Sequence, residues 1–120
     1  MPAEIRFIAP PSGSMVPKGS PFQAEFEQQA QGEPGQGLAC LQFAQSESGP
    51  WQVCQSAAGP LRCVPQPWSA QDAAFQVQAT LHQSIWARCG VWEEMPLGDP
   101  LYASNAHELI KGPSGERQLP

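Results

Sequence analysis

Proline and glycine divide this chain into short segments, and this punctuation constrains the fold more than any other feature. The sequence holds 14 Pro and 11 Gly among its 120 residues. Proline cannot donate to a β-ladder or continue a helix, and glycine permits the backbone angles of tight turns. None of the segments between these breaks shows a long helical period. The pattern predicts six or seven short strands at a spacing of roughly ten residues, which is typical of an antiparallel β-sandwich.

Two segments alternate apolar and polar residues, as a strand does when only one of its faces is buried. In residues 22–27, Phe22, Ala24 and Phe26 alternate with Gln and Glu. In residues 75–81, the apolar side chains of Phe75, Val77, Ala79 and Leu81 alternate with Gln and Thr. Both segments are therefore predicted to be strands with one buried face and one face in water.

The two ends of the chain carry weaker signals. Ile5 and Phe7 predict a first short strand, which Pro10-Pro11-Ser12-Gly13 ends before the chain restarts at Met15. Such a kinked opening predicts an edge strand that changes its partner sheet. A last strand is predicted within residues 101–110, with a short helix capped by Ser104 as the alternative for residues 104–110. We expect one domain over residues 1–112 and a flexible tail or linker over residues 113–120.

Residues 38–54 have the pattern of a β-hairpin that carries its own disulfide. In the register that best fits the alternation, Ala44 lies opposite Pro50 and residues 45–49 form the loop. The remaining pairs are then Phe43 with Trp51, Leu41 with Val53, and Cys40 with Cys54. Directly opposite residues have Cα atoms about 4.5 to 5.5 Å apart, a distance that a disulfide can span. This register therefore predicts a Cys40–Cys54 bridge across the hairpin.

The four cysteines allow three ways of forming two disulfides. With Cys40 joined to Cys54, the second bridge would join Cys63 to Cys89. One disulfide with two free thiols is a second possibility, and a zinc site is a third. The zinc site is disfavoured because the chain has no C-x-x-C pair. Two disulfides would indicate an oxidising compartment, so we expect a secreted or cell-surface protein.

The net charge of −5 and the scarcity of Lys and Arg argue against a nucleic-acid partner, because no basic cluster is present. No apolar run is long enough to insert into a membrane, and residues 1–10 lack the apolar core of a signal peptide. We therefore expect any targeting segment to lie outside this chain. Charged residues make up only 14% of the sequence, which favours an extracellular or assembly-bound domain over a free cytosolic enzyme.

The stretch Asp72-Ala73-Ala74-Phe75-Gln76-Val77 resembles the segment of immunoglobulin-like domains in which Asp and Ala precede an aromatic residue and the penultimate core strand. The opening at residues 5–19 and the ending at residues 98–104 are similar to immunoglobulin-like and fibronectin-III-like accessory modules of secreted proteins. The resemblance implies an all-β, antiparallel immunoglobulin-like β-sandwich of about seven short strands. Phe75 lacks the hydroxyl of the family's tyrosine corner, and Val77 stands where the bridging cysteine would be.

Aromatic side chains are the candidate binding residues. Exposed tryptophans stack on sugars or anchor protein partners, and the chain has 4 Trp. Trp51 is predicted to be a core residue because it faces Phe43 in the hairpin. The candidate binding residues are Trp86, Trp92, Trp68 and Tyr102. We expect binding at end loops formed by residues 28–37, 45–51 and 85–97.

No motif for a nucleophile, a metal-dependent hydrolase, a phosphate loop or a redox pair is present in the sequence. His82 and His107 have no ligand spacing with the neighbouring acids, so no metal and no cofactor are expected. The chain is therefore predicted to be a non-catalytic accessory module that binds a protein partner or neighbouring domains of the same polypeptide. The alternative is a carbohydrate-binding module that uses exposed Trp and Tyr rings.

Overall fold

A computed structural model of the protein describes residues 4–29, 35–54 and 59–114, and every regular element within these ranges is a strand. The described strands are β1 (Glu4–Ala9), β2 (Ser14–Lys18), β3 (Pro21–Gln29), β4 (Gln36–Ala44), β5 (Gln52–Val53), β6 (Leu61–Cys63), β7 (Gln66–Ser69), β8 (Ala74–Leu81), β9 (Ile85–Trp92), β10 (Tyr102–Ala103) and β11 (His107–Ser114). The predicted number of about seven is too low because very short pieces such as β5 and β10 also pair. Within the described ranges, no helix is long and apolar enough to cross a membrane.

The strands form two sheets. A four-stranded sheet has the order β1-β3-β8-β6, and a seven-stranded sheet has the order β2-β11-β9-β4-β5. In the second sheet β10 also pairs with β9, and β7 also pairs with β4. Pairing is antiparallel except between β2 and β11, which run parallel. The all-β architecture is confirmed; the four-stranded sheet is purely antiparallel, whereas the seven-stranded sheet is mixed.

The chain opening behaves as predicted, because β1 and β2 belong to different sheets. β1 pairs with β3, whereas β2 pairs with β11. The turn between them contains Gly13 at φ 84°, a conformation that glycine adopts without steric cost. The amide of Gly13 donates to the carbonyl of Glu108 at 2.8 Å and so ties the turn to β11.

The alternating segments form the strands that they predicted, and their apolar sides line the core. In β3, Ala24 and Phe26 are buried while Gln23, Glu25 and Glu27 are exposed. In β8, Val77, Ala79 and Leu81 are buried. The opposing sheet contributes the buried side chains of Ala87, Cys89 and Val91 from β9. The core therefore lies between the two sheets.

The position of β8 in the sheet order differs from the one that its family resemblance implies. β8 lies between β3 and β6 in the four-stranded sheet. β11, the last of the described strands, lies in the other sheet between β2 and β9. Residues 72–77 therefore do not lead into the penultimate core strand.

The end of the chain extends as a strand, and the alternative helix over residues 104–110 is wrong. The Ser104 hydroxyl accepts a hydrogen bond from the amide of Cys89 at 2.9 Å and donates to the carbonyl of Asn105 at 2.9 Å. This side chain is thus engaged by β9 and does not cap a helix. β11 continues to Ser114, whereas residues 115–120 lie outside the described residues, so the predicted tail stays a prediction.

The predicted hairpin forms, but its register is wrong by one residue. Gln42 lies opposite Val53 and Phe43 lies opposite Gln52, whereas Leu41 was expected opposite Val53. A shift of one residue moves every side chain of a strand to the other face. Trp51 therefore leaves its predicted place opposite Phe43, and Cys54 is no longer directly opposite Cys40.

Gly37 has no room for a side chain, and this gives a direct test of the packing around β4. A Cβ atom at Gly37 would overlap the carbonyl oxygen of Trp92, whereas one at Gly35 would lie 3.5 Å from the Trp68 ring, an ordinary contact. We expect Gly37→Ala to lower the free energy of unfolding by about 1 to 3 kcal/mol through overpacking. Gly35→Ala should change it by less than about 0.5 kcal/mol. Urea denaturation measures both, and equal midpoints for the two variants would contradict the structure.

Candidate functional site

A surface cavity of about 560 Å³ lies where the β4–β5 hairpin meets the chain between β9 and β10. We call it the Trp51 groove, and we define it by Gln42, Trp51, Arg88, Leu97 and Asp99, all of which line it. Pro50 and Pro96, which have stiff backbones, also line the groove. The groove is thus built from two turns and held by strands on either side.

Arg88 and Gln42 form the inner part of the Trp51 groove. They are cross-strand partners in β9 and β4, so their side chains lie on the same face of the sheet. Because Ala87 and Cys89 point into the core, this is the face away from the other sheet. The Nε of Arg88 donates to Gln42 Oε1 at 2.8 Å, and Gln42 is buried.

Arg88 also stacks on Trp51, with its guanidinium carbon 4.6 Å from the ring centroid. Partial burial lowers the pKa of Arg88 from its ordinary value, and the negative charge of Asp99 acts in the opposite direction. An arginine titrates so far above neutral pH that it stays charged here. The groove therefore presents a fixed cation against an aromatic face, an arrangement that contributes most where water is excluded.

Residues 93–101, which we call the β9–β10 loop, carry a concentration of exposed apolar side chains. Six large hydrophobic residues are exposed in the described part of the chain, and three of them are Met95 at 64%, Leu97 at 72% and Leu101 at 55%. The other three, Ile8, Met15 and Val64, lie in or next to separate strands. Half of the exposed large hydrophobic residues therefore lie in this one loop, and one of them, Leu97, also lines the Trp51 groove.

Trp92 holds the β9–β10 loop and is not itself an exposed binding residue. Its side chain is 4% exposed, and its Nε1 donates to the carbonyl of Gly98 at 3.2 Å. The ring lies across Gly90, where an added Cβ would be 2.7 Å from a ring carbon. The expectation that Trp92 is exposed is therefore wrong, because the loop folds over the ring and leaves its own Met and Leu side chains outside.

The other predicted aromatic residues do not form a common platform. Trp68 is 5% exposed, its Nε1 donates to Gln28 Oε1 at 2.9 Å, and its ring centroid lies 5.9 Å from that of Tyr102. Tyr102 and Trp86 are half-buried, and Trp86 lies opposite Ala44 in the pairing of β9 with β4. Of the predicted loops, residues 45–51 contribute Trp51 and residues 85–97 contribute Arg88 and Leu97, while residues 30–34 lie outside the described residues.

Sequence reasoning missed Trp51 as a site residue. The hairpin pattern placed it in the core, whereas the structure leaves it half-buried in the groove. The hairpin register decides whether Trp51 lies in the core or in the groove. The alternation of apolar and polar residues in the two hairpin strands did not identify the correct register. The sequence therefore held no independent signal for the contact between Trp51 and Arg88.

The two histidines are engaged with groups that do not suggest catalysis. Nε2 of His82 accepts a hydrogen bond from Nε of Arg62 at 3.1 Å. Partial burial and the charges of Arg62 and Lys18 lower the pKa of His82, which favours its neutral form. Nδ1 of His107 donates to the carbonyl of Pro10 at 2.9 Å, and its ring stacks on Phe7 at 4.3 Å. No group of three or more His, Cys, Asp or Glu within the described ranges is arranged to hold a metal ion.

All four cysteines are buried free thiols, and the predicted pairings do not match their contacts. Cys40 Sγ lies 3.5 Å from Cys63 Sγ. The Cys40 thiol also lies 3.7 Å from the carbonyl oxygen of Cys54, and the Cys89 thiol donates to the carbonyl of Gly90 at 3.5 Å. The one-residue register shift in the hairpin explains why Cys40 and Cys54 are not the directly opposed pair that was expected.

No protein-family model matches the chain, and no curated protein matches it. Among solved structures, the chain is similar to one described as "AvmM Catalyzes Macrocyclization in Alchivemycin A Biosynthesis". The two chains are 12% identical, the match covers 94% of this chain and 91% of that one, and the TM-score is 0.39. A similarity at this level carries no argument about function.

Proposed function

We propose that this chain is a non-catalytic interaction module that binds a protein partner through the Trp51 groove and the β9–β10 loop. The observation that carries the proposal is the β9–β10 loop, in which Met95, Leu97 and Leu101 are exposed and from which Leu97 lines the same groove as the stacked Trp51 and Arg88. Contiguous exposed apolar surface with a polar rim is typical of protein-binding sites. Glu93 and Glu94 are exposed in the same loop and would supply part of such a rim.

The chemistry of the groove fits a protein partner. Trp and Arg are the residues most enriched among those that contribute strongly to binding at protein interfaces. Gln42 and Trp51 already hold the Arg88 side chain, so little conformational entropy remains to be lost when a partner binds. Leu97 stands at the edge of the groove and is 72% exposed, so it is available to enter a pocket of the partner.

The proposed context is an immunoglobulin-like accessory domain of a secreted or cell-surface assembly. The strand orders support this class, because β1-β3-β8-β6 matches the A-B-E-D sheet of such domains and β11-β9-β4-β5 matches the G-F-C-C′ sheet. In this correspondence β2 continues the first strand into the second sheet. The partner would be a separate protein of the assembly or a neighbouring domain of the same polypeptide.

Burial of the predicted aromatic platform favours a protein partner over a glycan. A carbohydrate-binding module needs exposed rings on which sugars can stack. Of the four rings considered for that role, those of Trp68 and Trp92 are 5% and 4% exposed. Trp86 and Tyr102 are half-buried, so none of the four presents a fully exposed face. Glycan binding that Trp86→Ala abolishes would nevertheless support the alternative.

Site-specific photo-crosslinking tests the proposal. A photoreactive amino acid would be placed at Leu97, which is 72% exposed, and in a second variant at Val64, which is 61% exposed and lies next to β6. Both variants would be irradiated in the cells that make the protein, and crosslinked products would be identified by mass spectrometry. We expect a discrete protein adduct from position 97 and none from position 64. Identical patterns from both positions, or no adduct from position 97, would overturn the proposal.

A charge placed at Leu97 should weaken binding to the captured partner. We expect Leu97→Asp to raise the Kd at least about tenfold, because an interfacial apolar contact is replaced by a charge that must be desolvated. The unfolding midpoint should not change, because the Leu97 side chain is exposed. Val64→Asp is the matched control and should leave the Kd unchanged. Isothermal titration calorimetry with the purified partner measures both affinities.

A further inference from the structure

We propose that Cys40 and Cys63 form a disulfide that joins the two sheets when the protein meets a small-molecule disulfide such as oxidised glutathione. Cys40 lies in β4 of the seven-stranded sheet, and Cys63 lies in β6 of the four-stranded sheet. The bridge would therefore link strands of different sheets, unlike the hairpin bridge that the sequence suggested. This inference goes beyond the proposed function and does not depend on it.

The Cys63 sulfur occupies a gap along the edge of β4. β5 pairs with β4 at residues 42 and 43, and β7 pairs with it at residues 36–39. The amide of Cys54, directly after β5, donates to the carbonyl of Leu41 at 2.9 Å, so the gap is at Cys40 and at the amide of Leu41. In this gap the amide of Leu41 donates to Cys63 Sγ at 3.4 Å. The hydrogen bond holds the sulfur beside Cys40, whose Sγ is 3.5 Å away. A disulfide bond is about 2.05 Å long, so an approach of about 1.5 Å completes it.

Cys63 is the thiol best placed to react first. The thiols of Cys40 and Cys54 and the amide of Leu41 donate hydrogen bonds to it, which lowers the pKa of Cys63. Hydrogen bonding to Cys63 and burial both raise the pKa of Cys40. Cys63 also lines a surface cavity of about 330 Å³ beside Arg62, whereas Cys40 is 0% exposed. Cys63 is 5% exposed, so a small disulfide that enters this cavity at the β6 edge meets Cys63 before it meets Cys40.

The reaction is a two-step thiol–disulfide exchange. The Cys63 thiolate attacks one sulfur of oxidised glutathione, forms a mixed disulfide and releases one glutathione thiolate, which takes up a proton. Cys40, after losing its proton, then attacks Cys63 Sγ, forms the Cys40–Cys63 bond and releases the second glutathione. Two thiols of the protein are oxidised, and one glutathione disulfide is reduced to two glutathione thiols.

Cys54 is the competitor for the same sulfur. Its thiol also hydrogen-bonds to Cys63. A Cys54–Cys63 bridge would start from the residue that follows the two-residue strand β5, and it would leave β4 unattached. Cys40 lies in β4, which β9 holds on one side and β5 and β7 hold on the other, and its Sγ is 3.5 Å from Cys63 Sγ. This fixed position favours the Cys40 bridge. The two outcomes are chemically distinct and can be separated by peptide mapping.

Disulfide mapping of the full chain distinguishes these bridges. The protein would be equilibrated with reduced and oxidised glutathione, its remaining thiols alkylated, and the product digested with trypsin and a Glu-specific protease. Cleavage after Glu47 is required because Cys40 and Cys54 share one tryptic peptide, residues 19–62. We expect a linked pair that contains Cys40 and Cys63. A Cys54–Cys63 or Cys63–Cys89 link, or four alkylated thiols at every glutathione ratio, would overturn the proposal.

The difference in Tm between oxidised and reduced protein tests whether the Cys40–Cys63 bridge forms and stabilises the fold. Closing a loop between residues 23 positions apart should raise Tm by about 10 °C in oxidised relative to reduced protein. Cys40→Ala should abolish this oxidation-dependent shift, while Cys89→Ala, which changes an equally buried thiol, should retain it. Because each variant is compared with its own reduced form, a general loss of stability does not mimic the result. A shift that survives Cys40→Ala would contradict the assignment.

Discussion

Replacing Phe26 with alanine is expected to lower the free energy of unfolding by about 3 to 5 kcal/mol. Phe26 is 1% exposed, and its ring centroid lies 4.6 Å from that of Phe7 and 5.2 Å from that of Phe75. These rings belong to β3, β1 and β8, which are neighbours in the four-stranded sheet. Truncation would remove buried apolar surface and leave a cavity that the paired strands cannot close. Domains of this size are stable by about 5 to 15 kcal/mol, so the loss is a large part of the total.

Phe22→Ala is the matched control for Phe26→Ala. Phe22 lies on the same strand and on the same side, but it is only half-buried and packs at the border of the core. We expect a loss of less than half that of Phe26→Ala, because surrounding water already contacts part of the ring. Urea denaturation followed by circular dichroism measures both. Equal losses would mean that Phe26 is not at the centre of the core.

The sequence was most informative where one local signal determines a strand. In β3 and β8 the alternation of apolar and polar residues alone specifies which side chains are buried, because successive side chains point to opposite faces. The change of sheet between β1 and β2 was also predictable, since the Pro-Pro-Ser-Gly turn stops one ladder and permits another. These features need no knowledge of distant residues.

The hairpin register was harder to predict from the sequence because it depends on a contact with a residue far along the chain. Moving the pairing by one residue exchanges the faces of every side chain in β5. The observed register accompanies the contact of Trp51 with Arg88, which belongs to β9. A local reading of residues 38–54 contains no information about that partner.

The cysteine contacts and the burial of the aromatic residues likewise depend on contacts between residues far apart in the chain. Cys63 meets Cys40 because β6 joins the opposite sheet and its side chain enters a gap in β4. Trp92 is buried because Gly90 leaves room for the ring and the following loop covers it. A tryptophan count cannot separate such a buried anchor from an exposed ligand contact. The candidate site was therefore predicted only as a region, through residues 45–51 and 85–97, and not through its defining residue.

Gln28→Met is expected to lower the free energy of unfolding by about 2 to 4 kcal/mol, because it leaves the buried indole N–H of Trp68 without a partner and removes two further hydrogen bonds to backbone carbonyls. The Gln28 side chain is 8% exposed in the structure. Its Nε2 donates to the carbonyls of Ser69 at 2.7 Å and Asp72 at 2.5 Å, and its Oε1 accepts from Trp68 Nε1 at 2.9 Å. Methionine has a similar length and no comparable donor or acceptor, so the change removes the hydrogen bonds with little change in volume.

Two further variants show whether the loss comes from the hydrogen bond to Trp68. Gln23→Met changes an exposed glutamine on the same strand and should cost less than about 0.5 kcal/mol. In the double variant Gln28→Met with Trp68→Phe, the indole N–H that would be left unpaired is absent. The combined loss should therefore be smaller than the sum of the two single losses by about 1 kcal/mol or more. Strict additivity in urea denaturation would show that the two side chains are not coupled, and that Gln28 acts through its contacts with the Ser69 and Asp72 carbonyls alone.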